Sequence, residues 1–170
     1  MRSVYSGLRR LRWFIWVWAV LVATPVAAQT TTTATLSANV GTLANLTLSS
    51  VSVSFPDADP DAVPQVSAAG GPLTITAKAR ATHLSQVMLT VQANGPLRSG
   101  LNTIAAGAIT WTSTGTGFVA GTLSSAASVT VGSWIGSGTR AGTQTLMFQN
   151  LWTYATGTYT ATLTYTLSAP

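Results

Sequence analysis

From position 158 to 167 the chain reads TYTATLTYTL, with threonine at Thr158, Thr160, Thr162, Thr164 and Thr166 and Tyr159, Ala161, Leu163, Tyr165 and Leu167 between them. A strict period of two sends successive side chains to opposite faces, which an extended strand does and a helix does not. One face of such a strand is apolar and aromatic, and the other is lined with hydroxyls. The apolar face needs a second layer to bury it. Three uses fit the pattern. It can be a plain core strand with a stiff threonine face toward water. It can be an edge for strand addition by another subunit. A threonine ladder for an ice or crystal surface needs repeats on neighbouring strands, and no fixed repeat supplies them.

The same period runs through the chain upstream. Ala34, Leu36, Ala38 and Val40 share a face, as do Leu46 and Leu48, then Val51, Val53 and Phe55. The parity changes at Ser49-Ser50, which predicts a bulge or a break. Leu73, Ile75, Ala77 and Ala79 alternate, then Val87, Leu89 and Val91, then Ile109 and Trp111. Segments around 117–124, 128–136 and 142–152 follow, separated by turns at Gly70-Gly71, Asn94-Gly95, Gly115, Gly117, Gly136 and Gly138. The stretch 55–72 holds four prolines and all three aspartates, and reads as a long loop stiffened by proline. No amphipathic helical spacing occurs in this part. About nine or ten short strands with turn signals predict an all-β fold. Strict alternation means half-buried sheets, hence antiparallel pairing. The expectation is an antiparallel two-sheet β-sandwich, immunoglobulin-like or jelly-roll-like, over residues 29–170.

Residues 1–28 have a different character. Arg2, Arg9, Arg10 and Arg12 precede an apolar run of eleven residues, 13–23, and Val26 and Ala28 stand at the −3 and −1 positions of a small-residue cleavage site. This is the plan of a secretory signal peptide, and the run falls short of the ~20 apolar residues a spanning helix needs. The reading predicts an exported chain beginning at Gln29, in the periplasm, at the cell surface or outside the cell, with no stable membrane span after cleavage.

The leader also carries half of the basic charge. Lys78, Arg80, Arg98 and Arg140 remain against Asp57, Asp59 and Asp61, a net charge of +1 for residues 29–170. Four scattered cations make no footprint for nucleic acid. The chain has no cysteine, so an exported fold of this size rests on packing and strand pairing alone. Trp111, Trp134 and Trp152 separate it from disordered low-charge stalks.

Few residues carry chemistry. Asp57, Asp59 and Asp61 lie at i, i+2 and i+4, like the first half of a calcium loop, but Ala62 and Ala68 stand where a helix-loop-helix site needs Gly and Glu. A weak loop site for calcium or a solvated acidic turn are the two readings. His83 is the only histidine, so a transition-metal site is not expected, and neither is a hydrolytic triad. Three aspartates within one loop do not make the separated pair of a glycosidase. An enzyme is not expected, and neither is any cofactor apart from that calcium. The sequon Asn45-Leu46-Thr47 lies within a strand pattern and is read as chance. Trp134, Trp152 and Tyr154 flank Gly- or Thr-rich turns and are the candidates for a surface that stacks on a ligand. Core packing is the competing use of each tryptophan.

The closing stretch YATGTYTATLTYTLSAP resembles the C-terminal signature of bacterial WxL-type surface domains. Tyr159 stands at the opening Tyr, Tyr165-Thr166-Leu167 at the W-x-L position, and Ala169-Pro170 at the terminal Ala-Pro; Tyr165 replaces the Trp. More broadly, segments such as VSFPDADPD, ITWTSTGTGFVAGT and VGSWIGSG are similar to those of small secreted bacterial proteins. The resemblance implies an exported, wall- or surface-associated β-sandwich without catalytic residues. The function expected is structural or envelope-associated, through contacts with cell-envelope polymer or like subunits. The alternative is an extracellular carbohydrate- or ligand-binding module.

Overall fold

The computed structural model describes residues 32–170. The signal-peptide expectation, with its cleavage site after Ala28, lies outside the described residues. Residues 39–170 form one compact unit. Eleven strands build it: β1 (Leu43–Leu48), β2 (Gln65–Ser67), β3 (Leu73–Arg80), β4 (Gln86–Ala93), β5 (Leu97–Ser99), β6 (Asn102–Ile104), β7 (Ile109–Thr114), β8 (Gly121–Thr122), β9 (Val129–Ile135), β10 (Gly138–Gln149) and β11 (Leu163–Ser168). A single 3-10 turn, Ala106–Ala108, precedes β7. The described residues contain no helix long and apolar enough to cross a membrane. The fold is all-β, and every strand pair is antiparallel.

Two sheets face each other in a sandwich-like arrangement. The larger runs β1-β3-β10-β7-β8, and the smaller runs β11-β4-β9. β10 is the spine of the larger sheet. Its first half pairs with β3 along one edge, its second half pairs with β7 along the other, and β2 continues the β3 side at Met147–Gln149. β5 and β6 form a separate hairpin.

Alternation explains the core. Leu73, Ile75, Ala77 and Ala79 of β3 are buried, and Thr74, Lys78 and Arg80 between them are exposed. Val87, Leu89, Val91 and Ala93 of β4 answer from the opposite sheet. Burying each of the Leu, Ile and Val side chains contributes about 1.5–3 kcal/mol, which is how a chain without disulfides holds two sheets together. Trp111 fills the centre at 2 % exposure, and its indole N–H donates to the Val119 carbonyl at 2.9 Å. The ring lies directly over Gly121, where a Cβ would collide with it. A bulge interrupts β9: Leu89 pairs with Gly132 and Thr90 with Thr130, so Val131 is the extra residue. It changes the parity of the strand and turns Trp134 inward beside Val131.

Three strand expectations are corrected. Residues 34–40 lie in no strand, and every residue from 32 to 40 is exposed. Residues 51–55 are irregular, although Val53 and Phe55 still pack against the core. The parity change at Ser49-Ser50 is therefore a break. The closing strand begins at Leu163 instead of 158: Thr160 pairs with Arg98 only as an isolated bridge, and the continuous ladder to β4 starts at Leu163 opposite Ala93.

Candidate functional site

Two surfaces concentrate what the sequence singled out. The first lies where the acidic loop meets the segment after β10. Phe55, Phe148 and Tyr154 form a row of tilted rings with centroids 5.8 Å apart at each step. This row packs the two segments together. Asn150 ties them by hydrogen bonds: its Nδ2 donates to the carbonyls of Ala58 and Val63 at 2.9 and 3.3 Å, and its backbone N–H donates to the Pro64 carbonyl. Asp59 turns its carboxylate back on its own loop, accepting from the Asp61 N–H at 2.9 Å, and its carbonyl accepts from the N–H groups of Ala62 and Val63. Asp61 accepts from the indole N–H of Trp152 at 3.0 Å.

Asp59 and Asp61 therefore turn to separate partners. Among the described residues no group of three His, Cys, Asp or Glu side chains has metal-holding geometry. The predicted calcium loop of Asp57, Asp59 and Asp61 is not assembled, because Asp59 and Asp61 point to a backbone turn and to an indole. The surface candidates divide in the same way. Trp152 is 68 % exposed. Tyr154 is half-buried within the aromatic row, and burial raises its hydroxyl pKa above the ordinary value. Trp134 is a correction: it is only 7 % exposed and packs against Phe118 with ring centroids 6.4 Å apart. The bulge in β9 turns it into the core, and a bulge is not visible in an alternation count. Asn150 was not singled out by the sequence; its one signal was a polar amide at the end of a long strand.

His83 lies in the β3–β4 turn. A recess of about 350 Å³ there is lined by Val40, Gly41, Arg80, Thr82, His83 and Ser137 among others. The Ser137 hydroxyl is engaged with the backbone of Ala81, accepting from its N–H at 3.0 Å and donating to its carbonyl at 3.2 Å. No aspartate lines the recess. His83 and Ser137 therefore line one recess that holds no aspartate, the acid that a triad requires.

The second surface is the side of the sandwich where β1 and β11 approach one another. Each is the terminal strand of its sheet. Thr160 exchanges backbone bonds with Arg98, the Thr162 carbonyl accepts from the Asn94 N–H while its own N–H donates to the Asn94 Oδ1, and the Pro170 carbonyl accepts from Thr82. Even-numbered residues thus turn their backbone groups toward β4 and its extensions. By alternation, the N–H and C=O groups of Leu163, Tyr165 and Leu167 point to the free edge. The opposite side of the sandwich is covered. Val119 donates to Val131 and Ser133 to Gly117, so the segment before β8 caps β9.

No protein-family model matches the sequence, and no curated protein is significantly similar to it.

Proposed function

We propose that this chain is an exported, non-enzymatic structural protein that works at the cell surface or envelope through its faces and edges. The observation that carries this reading is the β1–β11 side, which no strand covers among the described residues, an apolar-backed edge in a fold that caps its other side. Natural sheets blunt their edges with charge, proline, bulges or cover. β11 reads LTYTLS and has none of these within it. Such an edge suits contact with envelope polymer or with like subunits. The likeness of Tyr159, Tyr165-Thr166-Leu167 and Ala169-Pro170 to WxL-type surface domains points the same way, as does the signal-like leader. The unequal sheets favour an immunoglobulin-like arrangement over a jelly roll.

The test is to co-sediment the exported protein with purified envelope preparations and to measure its mass by light scattering across concentration. Pelleting or concentration-dependent assembly is expected. A protein that stays in the supernatant and stays monomeric at every concentration overturns the reading.

A second reading has its own observation. The exposed indole of Trp152, fixed by Asp61 beside the acidic loop, is suited to stacking on a sugar ring as part of an extracellular binding module. Saturable change in tryptophan emission with soluble glycans, lost in Trp152→Ala, is the result this reading requires.

A further inference from the structure

We propose that residues 34–40 of one copy add as a strand along the free edge of β11 in a second copy. This rests on the assembly form of the proposed function and names the contact.

The acceptor is incomplete in two respects. Among the described residues, the outward backbone groups of Leu163, Tyr165 and Leu167 have no backbone partner. The side chains of the same three residues pack against the core yet stay only half-buried. Backbone and side chains are thus uncovered along one line. An added strand with apolar residues at every second position would satisfy both.

The chain contains such a strand. Ala34, Leu36, Ala38 and Val40 alternate with Thr35, Ser37 and Asn39, without a charge or proline among them. Leu36 is 97 % exposed and Val40 69 % exposed. An isolated strand of this kind gains nothing from water, since a strand is stabilised by the sheet it joins.

Addition within the same chain meets a register problem. The shortest fold-back is a two-residue turn at Gly41-Thr42 onto β1. It pairs Ser37 with Leu46 and Thr35 with Leu48, which turns hydroxyls toward the core and Leu36 and Val40 toward water. A slip of one residue reverses faces throughout a strand. In a second copy no covalent turn sets the register, and the apolar row of 34–40 can align with that of β11. Of the two free edges, β11 offers three large half-buried side chains, while β1 offers Leu46 and Leu48 alone. Donor and acceptor are different surfaces, so the contact is head-to-tail and propagates to a ring or an open chain.

The absence of cysteine makes the test direct. Full-length chains carrying Ser37→Cys, Thr164→Cys or Thr166→Cys are exported, purified and mixed under mild oxidation. The three positions are exposed. The expected result is a disulfide dimer between the position-37 chain and one of the β11 chains, well above what any variant forms alone. Adding Leu36→Asp to the position-37 chain should lower that yield on the order of tenfold, because a charge would enter an apolar row. Leu36 is exposed, so this change leaves the core intact. Cross-linking no greater in the mixture than in the single variants overturns the proposal. Equal yield with Leu36→Asp, or preferential linkage to Thr47→Cys on β1, also overturns it. If assembly by light scattering persists in Leu36→Asp, strand donation fails while the broader assembly reading stands.

Discussion

The Tyr165 hydroxyl donates a 2.6 Å hydrogen bond to the Oε1 of Gln144, joining the edge strand of one sheet to the central strand of the other. Gln144 is fully buried, and its Nε2 has no hydrogen-bond partner among the described residues. The pair is a polar tie across an otherwise apolar interior. Tyr165→Phe leaves a buried carbonyl oxygen unpaired, and should cost about 1–3 kcal/mol. Gln144→Met in the same background removes the stranded amide and should recover much of the loss. Urea denaturation of the two single variants and the double variant measures the coupling; strictly additive losses would refute the tie.

The same tyrosine sets an alkaline limit. Burial pushes its pKa up to about 12 from an ordinary 10.0. The folded state holds the neutral phenol more tightly than the unfolded chain does. Its contribution is therefore complete below pH 10 and is lost as pH rises from 10 to 12, by an amount on the order of 2 kcal/mol. Melting temperature against pH should fall through that window and fall less in Tyr165→Phe. Parallel curves for the two proteins would contradict the assignment.

Leu84 is the only described non-glycine residue with positive φ, at 62°. It sits at 71 % exposure in the β3–β4 turn, so its side chain gains little from packing. The left-handed conformation costs a branched residue about 1–2 kcal/mol. Leu84→Gly relieves that strain against a larger unfolded-state entropy, and Leu84→Asn does so with less entropy to lose. Leu84→Asn should raise stability by about 0.5–1 kcal/mol. A lower melting temperature in the Asn variant would mean that the leucine makes contacts that matter.

The three tryptophans of the described residues should be separable in solution. Trp111 and Trp134 are buried and Trp152 is exposed. Acrylamide should quench one fraction of the emission readily, and Trp152→Phe should abolish that fraction alone. Calcium at millimolar concentration should leave the melting temperature unmoved, because Asp59 and Asp61 are turned to separate partners. A rise with calcium would show that the loop rearranges to gather its carboxylates.

Much of the fold was readable from alternation, and the misses have physical causes. β3, β4 and β7 repeat large or small apolar residues at a strict period of two, and they are strands with that face inward. Residues 34–40 and 51–55 show the same period and are not strands, because alternation records the capacity to pair and not the presence of a partner. The β5–β6 hairpin, LRS and NTI, is too short for periodicity to register. At the candidate sites, proximity of Asp61 and Trp152 spans ninety-one positions and depends on Asn150 and an aromatic row. Nothing local signals it. Trp134 was a surface candidate because it stands next to the Gly-rich turn at Gly136 and Gly138; core packing, the competing use, is the one the fold makes of it.

What the residues determined by themselves is a set of two-faced strands, their antiparallel character and a core without disulfides, since side-chain period and composition are properties of the local chain. The pairing order was decided only in three dimensions. So was the cover over β9 and the bare edge of β11, and so was the meeting of Tyr165 with Gln144 across the interior. Backbone hydrogen bonds are the same for every residue, so which strand lies beside which depends on how all the apolar faces close together.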